Sequence, residues 1–504
     1  MIPLPRLIPK AARLSLAVPL FLPLIVHGSD LVRISSGNWH QADGWLDGDV
    51  STNWIQGRGA WIPTGRSVSV NASTTVSDLR LDGVVTPGAN PLTITGNLSG
   101  EGTFAMPNLG TSGAGVNGLV FATGAPIEMR QNVTLADQTN GRIVISAMDA
   151  GTEVTFNGFW DGWGSNTTHN LFVSGGARFL FGPEARVNNQ MRDIIRARAF
   201  FARGDGHPDN VLEFHADFNA DMGTAEQPVG GLSTLRVGDM TLITNATRNL
   251  PTIHKRLSNG GPTHHGLLIF DQGEGAHWIV RSQNQEYDGG IFWSRNWTLT
   301  AETDLLSIPV NRPGEDVGFG STTPGTTLTK RGPGTLILDD AQGYVFNSTF
   351  LVEEGAVVFL TDPFQTWPGG RMVNAGNHLS LLLTGGGQVA FEAPTGQTFH
   401  VHHITAMDAA TVRVGPGRLA VSETLSTPAG TTLQVVLGVA DEVLPKVTAG
   451  ELAIGGVLAV EAGDGFGAGQ YRLFPASADG TVAPFPAFPL RPVSRGVSTR
   501  KAAS

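Results

Sequence analysis

The chain has 504 residues, 40% of them hydrophobic and only 15% charged, with a formal net charge of −10, 66 glycines, 30 prolines and no cysteine. The apolar share suffices for a large core, while a charged share well under the usual quarter leaves Thr, Ser, Asn, Gln and Gly to build the surface. An acidic chain without a basic stripe argues against nucleic acid as a partner, and the missing cysteines exclude a disulfide framework.

Residues 1–28 read as an export signal. Arg6, Lys10 and Arg13 supply the positive start, residues 14–26 the apolar centre, and Val26 and Gly28 the small-residue rule for cleavage before Ser29. The rival is a membrane anchor, but the apolar run contains Pro19 and Pro23 and is shorter than the ~20 residues that span a bilayer. Contact with membrane is then expected only during export, to a secreted or outer-surface location.

Residues 29–66 are rich in tryptophan: Trp39, Trp45, Trp54 and Trp61. Flat aromatic faces suit sugar rings. The simpler reading is an N-terminal cap that buries aromatics over the first edge of a stacked β-structure. Strand signals follow at 67–70, 76–81, 92–95, 119–122, 143–146 and 154–156, separated by turns such as Asp82-Gly83, Gly96-Asn97 and Asn140-Gly141. Spacing of this kind suits a sandwich or barrel as well as a stack.

Residues 158–310 are less regular. Residues 190–202 (QMRDIIRARAFFA) are the best helix candidate, with a strand edge as the alternative. Residues 248–295 contain His254, His264, His265, Trp278 and Trp293 and match no repeat, which suggests an inserted excursion of the kind that forms a binding face. Before it, residues 212–222 (LEFHADFNADM) alternate strictly. Period two places Glu213, His215, Asp217, Asn219 and Asp221 on one face and Leu212, Phe214, Ala216, Phe218, Ala220 and Met222 on the other. A row of carboxylates with one histidine can bind Ca²⁺ through oxygen or supply an acid/base pair to a glycan, with Glu213, Asp217 and Asp221 as catalytic candidates and His215 as a metal candidate. The bland reading, a solvated outer strand face, is favoured because alternation alone requires polar residues there.

From 326 to 474 one phrase recurs. Gly332-Pro333-Gly334 suits a type II turn, with Pro setting its own φ and Gly334 taking the positive φ. Strands are expected at 336–338, 350–352 and 357–360. Gly415-Pro416-Gly417 and Gly455-Gly456 reopen the phrase, and Ile145 to Ala150 (ISAMDA) is echoed by Ile404 to Ala409 (ITAMDA). Turn-strand units that cannot bury an apolar face alone are the mark of a solenoid, each coil covered by its neighbours.

Residues 328–360 resemble the autotransporter-associated β-strand repeat of bacterial surface-protein passengers. The resemblance rests on Leu328, Lys330, Gly332, Gly334, Thr335, Leu336 and Leu338, then Gly343-Tyr344, and then Val352, Gly355 and Val357, with Phe350 where the pattern has Thr. Asp339-Asp340 replaces the usual Ser/Thr-Gly, and residues 97–104 (NLSGEGTF) echo the lead-in. The resemblance implies an all-β, right-handed parallel β-helix over residues 67–479, exported and displayed at a cell surface. It also implies a C-terminal translocating barrel, for which residues 480–504 offer no run of alternating strands.

Remaining signals are weaker. His400 and His402, one residue apart in a strand with His403 following, would share a side and could chelate a transition metal, but no third ligand is evident. Arg203-Gly204-Asp205 matches an integrin-type tripeptide. The N-x-S/T triplets at Asn71, Asn97, Asn132, Asn166, Asn245, Asn296 and Asn347 are what a Thr/Asn-rich surface composition yields. No nucleotide loop, zincin motif or nucleophile elbow occurs, and no cofactor is expected. Residues 480–504 hold Arg491, Arg495, Arg500 and Lys501 among prolines and read as a disordered basic tail. The function expected is a non-enzymatic, adhesin-like surface protein or display stalk facing an extracellular glycan or another cell. The alternative is a polysaccharide-active enzyme or glycan-binding module using the 213–221 face and nearby Trp.

Overall fold

The computed structural model describes residues 30–475 apart from 88–89, 107–117, 136–141, 147–151, 162–170, 189–199, 216–233, 246–253, 257–262, 266, 282–284, 288, 308–317, 340–343, 364–377 and 442. The expected leader at 1–28, the tail at 480–504 and the echo residues Met148, Asp149 and Ala150 lie outside the described residues.

The protein is all-β: the described residues form strands and turns and no helix. Most strands pair in parallel, and with a strand two or three places away in sequence rather than the next one. Thr74–Val76, Leu79–Leu81 and Val84–Pro87 are followed by Leu92–Ile94, Leu98–Ser99 and Thr103–Met106, and each of the second trio lies in register on its counterpart in the first. The chain thus deals its strands in turn to three columns of parallel pairing. The third of these columns ends at Arg186–Asn188, and a separate eight-stranded parallel sheet runs from Gln285–Tyr287 to Val457–Ala462.

Alternation explains why these segments are strands. Parallel sheets usually have both faces covered and read as continuous apolar runs. Here one face meets the core and the other solvent, so Thr335–Leu338, Ala356–Phe359 and Thr411–Val414 each bury every second residue. Register sets like on like. Leu336, Val357, Val389, Val412 and Leu433 form one inward row, and Leu338, Phe359, Phe391, Val414 and Val435 the next. Phe359 and Phe391 stack at 5.4 Å between centroids. One apolar cluster runs from Leu31 to Leu458. Each large side chain in it contributes about 1.5–3 kcal/mol on burial, most of which chain entropy offsets.

Glycines mark where neighbouring backbones touch. In the Gly-Pro-Gly turn the positive φ falls on Gly332 (+77°) and not on Gly334 as expected. Gly334 is required for a different reason: a Cβ there would lie 2.2 Å from the Thr303 carbonyl oxygen in the preceding layer. The expected type II geometry placed local turn strain where contact between layers decides.

At the N-terminal end, Leu31–Arg33 pairs in parallel with Ala60–Ile62 on one side and antiparallel with Trp45–Asp47 on the other, which in turn pairs with Val50–Thr52. Trp39, Trp45 and Trp54 are buried with their rings 5.0–5.2 Å apart. These three cannot offer a sugar-stacking surface. Trp61 is half-buried, with the Arg80 guanidinium 4.6 Å over its ring and its Nε1–H donating to Asp82 Oδ2 at 2.8 Å.

Parallel pairing continues through Glu153–Phe156, Arg178–Phe181, Val211–Phe214, Thr241–Thr244, Ala276–Val280 and Trp297–Ala301. The antiparallel pair His254–Arg256 and Thr263–His265 departs from it. Inward positions in this section carry Phe179, Phe181, Phe214, Trp278 and Trp297 instead of Val and Leu, so the repeat signal fades while the stacking persists. The helix expected at 190–202 is not borne out where it is described. Phe200–Gly204 is a strand paired with Leu171–Ser174 and Thr234–Gly238, Phe200 and Ala202 turning inward at period two. Residues 190–199 lie outside the described residues. Trp278 and Trp293 are core residues, 0% and 2% exposed, and cannot stack on a ligand.

Candidate functional site

Val211–Phe214 carries the described part of the alternating stretch. Leu212 and Phe214 point into the core as expected, and Phe214 stacks on Phe181 at 4.9 Å. Glu213 points outward yet is only 6% exposed, which corrects the expectation of a solvated face at this position. Its carboxylate accepts from the Arg178 guanidinium in the preceding layer and from the Asn245 amide in the next. Arg178 also holds Glu153 at 3.0 Å. Partial burial alone would lower the Arg178 pKa, but the hydrogen bond and charge of Glu213, with those of Glu153, outweigh it and raise it. Glu213 therefore serves as the buried counter-ion of a cross-layer clamp. His215 is half-buried and donates its backbone N–H to Phe181 O at 2.9 Å. Asp217, Asn219 and Asp221 lie outside the described residues.

The histidine pair does not form a chelate. Thr398–Val401 ends before His402, and a new strand, His403–Ala406, begins after it. His400 engages Asp362, with Nδ1 2.8 Å from Oδ2. His402 turns elsewhere: Nδ1 is 3.1 Å from Ser422 Oγ, Nε2 is 3.7 Å from Glu423 Oε1, and its ring lies 4.9 Å from that of His378. Among the described residues no group of three His, Cys, Asp or Glu is placed to hold a metal.

The Arg-Gly-Asp tripeptide is occupied internally. Arg203 Nε donates to Asp239 Oδ2 at 2.8 Å. Burial would raise the Asp205 pKa, but donation from Asn210 and from the His207 and Gly175 N–H groups lowers it. Several sequon asparagines bind neighbouring layers: Asn97 donates to Asp78 Oδ1 at 2.9 Å and Asn296 Oδ1 accepts from Thr327 N at 2.8 Å.

Sequence reasoning missed two buried lysines. Lys330 is 0% exposed, and its ammonium donates to the carbonyls of Arg331 (2.8 Å), Gly332 (2.8 Å) and Glu354 (3.1 Å). Lys446 donates to the carbonyls of Gly415 (2.5 Å) and Pro416 (2.8 Å). Both Gly-Pro-Gly turns are thus clamped by an ammonium. Burial pushes both lysines down to about 8. The first was present in the repeat pattern as Lys330 two residues before Gly332. The second left no local signal, because its donor lies in the following layer.

No family model, curated protein or solved structure matches this chain.

Proposed function

We propose that the three columns are the faces of a right-handed parallel β-helix, and that the chain is an exported, non-enzymatic surface or secreted protein, an adhesin-like body or display stalk. The observation that supports this reading is that strand after strand returns, in parallel and in register, onto a strand two to four places earlier, around one apolar core. Parallel crossovers are right-handed in nearly all proteins, which supports the hand. Strands about 4.8 Å apart would make the body on the order of 80 Å long, a regular flank suited to many weak contacts with a glycan or a second cell surface.

The engagement of Glu213 by Arg178 and Asn245 favours a structural over a catalytic role for that strand. The reading is tested by expressing the full chain in a Gram-negative host and probing intact cells and medium with antibody and external protease. Protein that stays in the cytosol with residues 1–28 uncleaved would overturn it.

A further inference from the structure

The C-terminal end of the stack contains a cavity of about 210 Å³, lined by Arg418, Lys446 and Arg472 against a single carboxylate among the described residues, Asp441. In a chain of net charge −10 this is a local reversal of sign. Among the described residues the cations retain donors. Lys446 spends two of its three N–H groups on carbonyls. Arg418 uses Nη2 on Asp441 Oδ2 at 2.7 Å, and Arg472 uses Nη1 on the Val443 carbonyl at 3.1 Å. Each guanidinium carries five N–H donors in a planar fork that matches a carboxylate. Pro416, Leu437 and Leu444 supply hydrocarbon to the lining, and Tyr471, whose ring stacks on Phe466 at 5.3 Å, also borders it. A ligand suited to it is small, anionic at one end and has C–H faces at the other.

We propose that this cavity binds one carboxylate-bearing sugar residue, a uronate unit of an acidic saccharide. The proposal goes beyond the surface-protein reading and does not depend on it, since the site needs only the folded chain. The guanidinium forks of Arg418 and Arg472 take the carboxylate, Lys446 adds a point charge from below, and the sugar's C–H face lies on the apolar wall.

The groups facing Lys446 are Arg418, Arg472, Asp441 and Tyr471 from the cavity and Glu392, itself held by Arg413 at 2.8 Å. Burial first, and Arg418 second, push Lys446 down to about 8, Glu392 opposing. A bound carboxylate favours the protonated amine and raises that value, so binding is tightest below pH 8 and weakens above it.

The test is titration calorimetry of the full chain with galacturonate, glucose and inorganic sulfate. Galacturonate is expected to bind at least tenfold more tightly than either control. Its affinity should fall about tenfold between pH 7 and pH 9 as the Lys446 ammonium is lost. Arg472→Gln, which removes a charge that among the described residues is tied to the Val443 carbonyl, should weaken galacturonate about tenfold without moving the melting temperature. No binding of galacturonate, equal binding of glucose, or an unaltered Arg472→Gln variant each overturns the proposal. Sulfate binding as tightly as galacturonate overturns it too, leaving an inorganic-anion site. None of these outcomes bears on where the protein is located, so failure here and failure of the surface reading are distinguishable.

Discussion

Lys330 and Gly355 are fitted to each other across adjacent layers: a Cβ on Gly355 would fall 2.9 Å from Lys330 Nζ, and 2.4 Å from the Gly332 carbonyl oxygen that this ammonium caps. Gly355 also has φ of +68°, which L side chains rarely adopt. The turn, the glycine and the lysine form one unit. Lys330→Met keeps the stem's packing but strands three carbonyls, and should cost about 2–4 kcal/mol. Gly355→Ala should cost at least as much, through strain and displacement of the ammonium. Urea midpoints of both variants check this, and a Gly355→Ala midpoint equal to the parent would show that the two layers are not in contact.

The same lysines give the fold a pH signature. Both have pKa values of about 8, against an ordinary value of 10.5. Below pH 8 both states are protonated and the folded state bears the cost of burying two ammonium groups. Between about 8 and 10.5 the unfolded chain binds more protons than the folded one, so stability rises with pH, by up to about 3 kcal/mol per lysine. Thermal melts from pH 7.5 to 10 should therefore move upward. Lys330→Met combined with Lys446→Met should flatten the slope, and a parent melting point that falls over this window would contradict the burial.

Glu213 is expected to matter for stability rather than for turnover. Glu213→Ala leaves the Asn245 amide with its longer bond to Phe214 O at 3.4 Å and removes one of two carboxylates from Arg178, whose side chain is 38% exposed. Solvent screening at that arginine reduces the loss to about 1–2 kcal/mol, less than for a fully buried pair. A double-mutant cycle with Arg178→Ala should recover most of that loss as coupling between the two residues. Additive effects would mean that the carboxylate has another task.

What the sequence revealed and what it hid separate along a physical line. The strand at 335–338 and the turn at Gly332 were legible because alternation and Gly-Pro chemistry are local. The stacking of Leu336 on Val357 was not legible, because the phrase that recurs at Gly415 opens a strand of a different sheet. The partners of Glu213, Arg178 and Asn245, were hidden because they come from the layers before and after, and period two tells a face but not its neighbours. The same gap hid Lys446, whose acceptors Gly415 and Pro416 belong to the preceding layer. His400 and His402 misled because the strand ends at Val401, which breaks the alternation that would have aligned them.

The N-terminal end offers the most direct test of how the stack is closed. Trp45 packs against Trp39 and Trp54, its Nε1–H donates to Trp39 O at 2.8 Å, and the Arg33 guanidinium lies 5.3 Å over its ring. Arg33 is 1% exposed, and burial lowers its pKa. Its Nε donates to Ser35 O at 2.6 Å and its Nη2 to Asn38 O at 3.0 Å. Trp45→Ala removes the ring that shields this cation and the first strand's outer edge, and should cost about 3–5 kcal/mol. If the hairpin of Trp45–Asp47 and Val50–Thr52 is what blunts that edge, its loss exposes the free ladder of Leu31–Arg33 to other chains. The variant should then oligomerise in a concentration-dependent way, measurable by light scattering, while Trp61→Ala, at a half-exposed ring, should stay at the parent's mass. A monomeric but merely less stable Trp45→Ala would assign the hairpin to packing alone.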